Sequence, residues 1–117
     1  MKKLLVLLAL VLATPAFTQA PQMRPTVNGS VVIAAGNTFQ TVLAAAVSPV
    51  RRNSLTISNN NATDSCWIFI GSAVAAKGTS ILLLAGQGYT RYYPYIPSDA
   101  IQATCATTAD TLYVDTQ

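Results

Sequence analysis

The sequence predicts an all-β protein with a single antiparallel β-sandwich, a jelly-roll-like domain of seven or eight short strands, preceded by a signal peptide. Three observations predict this fold. Short apolar or alternating runs recur along the chain, turn-forming Gly, Asn, Pro and Ser residues separate them, and no long amphipathic helical pattern interrupts them. Runs spaced by roughly eight to twelve residues are typical of sandwiches and jelly rolls, with a barrel as the second choice.

The N-terminus has the three regions of a secretory signal peptide. Two lysines precede an unbroken apolar run at residues 4–13, and small residues follow it. This run is shorter than the roughly 20 residues that span a bilayer, so we expect export to the periplasm or the cell exterior, with membrane contact only before cleavage. An uncleaved anchor and a buried N-terminal helix are the alternatives. We divide the chain into a signal peptide at residues 1–20, an extended lead-in at 21–29 and the β-sandwich domain at 30–117.

The charge balance argues against nucleic acid as a partner. The whole chain has seven Lys and Arg residues against four Asp residues and no Glu, a net charge of +3. Two of the lysines lie in the predicted signal peptide, so residues 21–117 carry five basic and four acidic side chains, a net charge of +1. The basicity belongs mainly to the targeting segment, and we expect no nucleic-acid binding.

Turn-forming residues separate the predicted strands in the first part of the domain. Asn28-Gly29 predicts a turn before a first strand at residues 30–35. A second strand is predicted at residues 38–46, although its Ala-rich end is equally compatible with the start of a helix. Ser48-Pro49 ends either structure.

The central part of the chain, residues 51–86, contains the strongest strand patterns. Leu55 and Ile57 alternate with polar residues, as in a strand with one buried face. The next run, residues 66–70, is apolar at every position, which predicts a central strand covered on both faces. After a loop, residues 79–85 are predicted to form a third strand.

The two cysteines are predicted to form a disulfide. Cys66 shares its strand phase with Ile68, and Cys105 shares its phase with Ile101, so both side chains are expected to face the core. Exported proteins meet an oxidising compartment, in which such a pair becomes bonded. Two unpaired buried thiols are the alternative.

An aromatic segment follows the central part of the chain. Pro94 and Pro97 restrict β pairing, so the segment is predicted as an edge strand or an ordered loop. Four tyrosines around one arginine would supply contact area at low entropic cost in a recognition surface. Filling of the core and the sheet edge is an equally good interpretation. The candidate recognition surface comprises Tyr89, Arg91, Tyr92, Tyr93 and Tyr95.

The sequence lacks the residues on which most catalytic and metal sites depend. The chain has no His, hence no imidazole base and no Cys/His zinc set. Its Asp residues occur singly near predicted turns and strand ends, and no Gly-rich phosphate loop is present. We therefore expect no enzymatic activity, no cofactor and no bound metal. Arg51-Arg52 is interpreted as a solvated pair rather than a ligand site.

Three sheet-and-turn patterns follow one another as Arg52-x-x-Leu55-x-Ile57-x-Asn59, Ile68-x-Ile70-Gly71 and Gly78-x-Ser80-Ile81-x-Leu83-x-x-Gly86. Together they resemble the small β-sandwich proteins of tailed-phage particles, which serve as head decoration, fibre or tail accessory modules. The similarity covers about residues 50–115. It implies a non-enzymatic structural role, self-association, and docking on a particle or a host surface.

Two classes of function follow. The first is a structural or assembly module of phage or prophage origin, a virion accessory protein that forms a homo-oligomer or docks on other particle proteins through an edge strand or the apolar face at residues 81–84. The second is an exported bacterial module that recognises a glycan or a surface protein through the tyrosine cluster. A signal peptide and a disulfide are uncommon in particle proteins assembled in the cytoplasm, which keeps the second class open.

Overall fold

The computed structural model describes residues 27–47 and 51–117. The predicted signal peptide, residues 21–26 of the predicted lead-in and the Ser48-Pro49 break lie outside this part of the chain. The described residues form eight strands in two antiparallel four-stranded sheets, which confirms the predicted β-sandwich. The strands are β1 Val27–Val32, β2 Gln40–Leu43, β3 Ser54–Asn59, β4 Cys66–Ile70, β5 Ile81–Leu83, β6 Gly88–Tyr92, β7 Ile101–Cys105 and β8 Thr111–Thr116.

The strand order is that of a jelly roll. Sheet A has the order β1-β8-β3-β6, and sheet B has the order β2-β7-β4-β5. The first strand pairs with the last, the second with the seventh, the third with the sixth and the fourth with the fifth, as in one long hairpin. Two further pairings, β3 with β8 and β4 with β7, roll this hairpin into two packed sheets.

Helical structure in the described residues is confined to a 3-10 turn at Lys77–Thr79, inside the loop between β4 and β5. The hydroxyls of Thr79 and Ser80 both donate to the Ala76 carbonyl and close this turn. Within residues 27–47 and 51–117, no helical segment has the length and hydropathy needed to cross a bilayer.

The core lies between the sheets and is built by alternating residues. Leu55 and Ile57 of β3 are fully buried, as their alternation predicts, and β8 shows the same pattern at Leu112 and Val114. Burying one such side chain stabilises the fold by roughly 1.5–3 kcal/mol. The other buried apolar residues are Ile33, Cys66, Ile68, Leu83, Ile101, Ala103 and Cys105.

The predicted turn at Asn28-Gly29 is wrong. These residues lie inside β1, which begins at Val27 and therefore includes the last three residues of the predicted lead-in. β1 pairs along its whole length with β8, and the Tyr113 hydroxyl donates to the Asn28 side chain at 2.6 Å. Pairing over six residues outweighs the local turn preference of Asn-Gly. The turn comes later, at residues 34–37, where Asn37 has a φ of 60°.

The second strand is shorter than predicted. β2 covers Gln40–Leu43 instead of residues 38–46, and its register against β7 shifts near its end. This irregularity interrupts the alternation of faces, so both Val42 and Leu43 pack against the core. Residues 44–47 form neither a strand nor a helix.

A loop covers the outer face of β4, which is an inner strand of sheet B as predicted. The Gln102 side chain on β7 donates to the carbonyls of Gly71 and Ala73 at 3.1 and 3.0 Å. The Lys77 ammonium lies 3.8 Å from the centre of the Trp67 ring, a cation–π contact. Trp67 is thereby partly buried. The second apolar face of β4 is thus explained by a loop rather than by a third layer.

Buried hydrogen bonds tie the end of β3 to its neighbours. Asn59 is fully buried, and its amide nitrogen donates to the carbonyls of Asp64 and Leu83 at 2.8 and 3.0 Å. Its side-chain oxygen accepts from the backbone and side-chain nitrogens of Asn61. The Asn61 amide in turn bonds both the carbonyl and the N–H of Thr111. Both polar atoms of the Asn59 side chain have partners, as a buried amide requires.

The predicted disulfide is present. Cys66 of β4 lies opposite Cys105 of β7, with an S–S distance of 2.00 Å and Cα atoms 4.0 Å apart. Both residues are fully buried. The bond links positions separated by 39 residues and crosses one of the two pairings that close the roll.

We expect the double variant Cys66→Ala, Cys105→Ala to lose roughly 3–4 kcal/mol of unfolding free energy, because a crosslink over 39 positions restricts the unfolded chain. Guanidinium unfolding of the oxidised protein and the variant measures this loss. Wild-type protein kept in reductant is the matched control and should lose a similar amount. A loss below about 1 kcal/mol in both samples would contradict a stabilising role for the bond.

Candidate functional site

The two ends of the jelly roll differ in loop length. Successive strands run in opposite directions, so the connections after β2, β4 and β6 gather at one end and the remaining connections gather at the other. The first group spans eight to ten residues each, and the second spans four to seven. We call these the long-loop end and the short-loop end. Binding residues concentrate on loops that a rigid scaffold positions, which directs attention to the long-loop end.

A cleft of about 290 Å³ opens at the long-loop end, between the β2–β3 and β6–β7 connections. Its volume is near the lower end of the roughly 300–1,000 Å³ typical of ligand pockets. The wall combines apolar and aromatic side chains with two guanidinium groups. The residues that matter for its chemistry are Arg51, Arg52, Tyr93, Pro94, Ile96 and Pro97.

Arg52 holds the two connections together. Its guanidinium donates to the carbonyls of Pro97 at 2.7 Å and Asp99 at 3.0 Å, and also to the carbonyl of Ala44. Arg52 is partly buried whereas Arg51 is exposed, so the interpretation of a solvated pair is wrong for Arg52. Burial lowers the pKa of the Arg52 guanidinium below its usual value, and the charge of Asp99 opposes that shift. The group nevertheless stays protonated at physiological pH.

The positive charge at the cleft is not neutralised by an ion pair within the described residues. Arg52 directs its hydrogen bonds to backbone carbonyls, which carry only partial charge. Among the residues that the structure describes, the Arg51 guanidinium has no hydrogen-bond or ion-pair partner. The charge of Asp99 offsets part of that of Arg52, and the exposed Arg51 leaves the cleft with a net positive potential.

The predicted tyrosine cluster divides between surface and core. Tyr92 and Tyr93 are each 68% exposed, and Tyr95 is 82% exposed. Tyr89 packs against the core, because it lies opposite Ile57 in the β3–β6 register and shares its inward phase. Core filling therefore describes Tyr89, whereas the interpretation as an exposed surface describes Tyr92, Tyr93 and Tyr95.

The five predicted surface residues do not converge on one site. Arg91 stacks over the Tyr89 ring, 4.7 Å from its centre, at the edge of sheet A. Of the five, Tyr93 alone lines the cleft within the described part of the chain. Tyr92 and Tyr95 flank it in sequence, and the Tyr95 N–H donates to the Tyr92 carbonyl at 3.0 Å. The candidate site is therefore the cleft at Tyr93, with exposed aromatic neighbours.

The sequence prediction missed the cleft contributions of Pro94 and Ile96 and the structural role of Arg52. The prolines in the sequence could have indicated the role of Arg52. A loop with two prolines has fewer N–H donors than carbonyl acceptors, so some of its carbonyls need donors from elsewhere in the chain. The Pro97 carbonyl receives its hydrogen bond from Arg52 in this way.

One grouping within the described residues brings potential metal ligands together, namely Cys66, Cys105 and Asp110. The two sulfurs are bonded to each other and present no thiolate to a metal. The Asp110 carboxylate accepts a hydrogen bond from the Thr107 N–H at 3.2 Å. We assign no metal site to this grouping.

Comparisons with known proteins give no indication of function. No protein-family model matches the chain, and neither a curated protein nor a solved structure matches it. The proposals below therefore rest on the cleft, its charge and the exposed tyrosines.

We expect Arg52→Met to lower the unfolding free energy by about 1–3 kcal/mol, because three carbonyls lose their donor. Arg52→Lys should recover only part of this loss, since one ammonium group does not reproduce the planar fork of guanidinium donors. Urea unfolding provides the measurement. Arg51→Met is the matched control, and its effect should stay within about 0.5 kcal/mol. Equal effects at both positions would show that the Arg52 hydrogen bonds are not stabilising.

Proposed function

We propose that this chain is an exported, non-enzymatic recognition module that binds a saccharide at its long-loop end. The observation that carries the proposal is the cleft at Tyr93, which combines an aromatic and apolar wall with guanidinium groups. Pockets of this composition fix a small ligand by apolar contact and orient it with a few polar groups.

The exposed tyrosines support binding at this end of the molecule. Tyr92, Tyr93 and Tyr95 are all exposed, so together they extend the aromatic contact area beyond the cleft. Tyrosine has few rotatable bonds, so ordering it on binding costs little entropy. Such residues suit a ligand larger than the cleft, of which one unit enters and the rest lies across the tyrosines.

The fold and the predicted export agree with this proposal. Jelly rolls form both lectin domains and viral capsid domains, although a fold by itself does not determine a function. A predicted signal peptide and a buried disulfide suit a protein that acts outside the cytoplasm.

An array of immobilised oligosaccharides tests saccharide binding, with the protein secreted through its own N-terminal segment and its disulfide intact. We expect retention on a subset of saccharides, and we expect Tyr93→Ala to weaken it about tenfold or more, as for a central aromatic contact. Leu84→Ala, which alters a 48% exposed apolar residue at the short-loop end, is the control and should bind normally. Absence of retention on every saccharide, or unchanged binding by Tyr93→Ala, would refute the proposal.

A phage-particle assembly module is the second candidate. β5 is a three-residue edge strand of sheet B, and the large apolar side chains at and beside it are exposed: Ile81 at 40%, Leu82 at 46% and Leu84 at 48%. An exposed apolar edge favours pairing with another chain. Together with the resemblance to tailed-phage particle proteins, this edge supports self-association as a virion accessory protein.

Native mass spectrometry with sedimentation velocity tests the assembly candidate. It predicts a defined oligomer that Leu82→Asp dissociates, because a charge would be desolvated at the interface. Val74→Asp is the control, since Val74 is 95% exposed in a different loop. A monomer under all conditions would eliminate assembly through this edge and would leave saccharide binding unaffected.

A further inference from the structure

We infer that the cleft selects a carboxylate-bearing sugar, with the carboxylate bound by Arg51 and the sugar ring packed against Tyr93. This inference rests on the proposed saccharide binding and specifies the chemical class of the saccharide.

The charge of the cleft favours an anion. Both Arg51 and Arg52 line it, and no Asp side chain of the described residues does so, although the nearby Asp99 offsets part of the charge of Arg52. A neutral sugar gains nothing from this potential, whereas a negatively charged sugar is attracted and oriented by it. Because Arg51 is exposed, salt screens this interaction.

The two arginines have different roles in this arrangement. Arg52 is committed to three backbone carbonyls, so it contributes a fixed charge rather than a contact. Arg51 is exposed, and within the described residues its donors are uncommitted. A guanidinium presents a planar fork that matches the two oxygens of a carboxylate. Arg51 is therefore the residue that contacts the anionic group.

The remaining wall suits the ring of the sugar. Tyr93, Pro94 and Ile96 line the cleft with flat or apolar surface. The C–H groups on one face of a pyranose form an apolar patch that packs on such a surface, while its hydroxyls stay in water. A volume of about 290 Å³ accommodates a single terminal sugar rather than an extended chain. A terminal uronic or sialic acid meets both requirements.

The test uses an array that pairs oligosaccharides ending in glucuronic, galacturonic or sialic acid with their methyl esters, in which one added methyl group removes the negative charge. We expect the acids to bind about twofold to fivefold more tightly than the esters, as for an ion pair with an exposed guanidinium. This preference should shrink as salt is raised. Arg51→Gln should lower the affinity for the acids to that for the esters, whereas Tyr93→Ala should lower the affinity for both.

Arg91→Gln is the matched control, because Arg91 is exposed, lies outside the cleft and changes the net charge by the same amount. It should leave the preference for acids unchanged. Equal binding of acids and esters, or an equal effect of the Arg51 and Arg91 variants, would overturn the carboxylate inference while saccharide binding stands. Retention of a free C-terminal peptide but not its amide, with no saccharide retained, would assign the cleft to a protein partner and overturn both proposals.

Discussion

The pairing of β4 with β7, crosslinked by the Cys66–Cys105 disulfide, is the interaction on which the rest of the structure depends. The jelly roll is one long hairpin whose outermost pairing joins Val27 to Thr116. Contacts so distant along the chain cost loop-closure entropy before they stabilise anything. A bond between inner strands of one sheet holds the two halves of the chain together and shortens the loops that the other pairings must close. β8 can then pair with β3 and β1 to complete sheet A.

The constraints are concentrated at the short-loop end. The disulfide lies there, as do the hydrogen bonds by which Asn59 and Asn61 join the ends of β3 and β5 to the start of β8. The Asn61 amide also approaches the Cys66 sulfur at 3.5 Å. Buried and satisfied polar groups of this kind specify one arrangement of the chain, since any other would leave them without partners. At the opposite end, Arg52 joins the β2–β3 and β6–β7 connections and Gln102 holds the β4–β5 connection, while Tyr92, Tyr93 and Tyr95 stay exposed to solvent.

The long-loop end shows how neighbouring residues acquire different roles. Arg52 turns toward the protein and supplies donors to a proline-containing loop that lacks them, whereas Arg51 faces solvent at the rim of the same cleft. A structural charge and a solvent-exposed charge are therefore neighbours, and in the proposed function the structural charge adds to the potential at the cleft. Tyr93 completes the wall from the other connection, since its backbone N–H donates to the Asn53 carbonyl at 3.1 Å. The hydrogen bonds of Arg52 and Tyr93 hold together the two connections that form the cleft.

Features that depend on local pattern could be predicted from the amino-acid sequence alone. Alternation placed Leu55 and Ile57 in the core, and strand phase directed Cys66 and Cys105 inward, because side chains alternate in any strand whatever its neighbour. The β4–β7 register then placed the two cysteines opposite each other. Tertiary structure decided what depends on distant partners. Pairing with β8 placed Asn28-Gly29 inside β1, and pairing with β3 packed Tyr89 against the core while Tyr92, Tyr93 and Tyr95 stayed exposed. The fold also brought three backbone carbonyls within reach of Arg52. A cleft between two loops has no local signature, since its wall is formed by residues about 40 positions apart that the sheet pairings bring together.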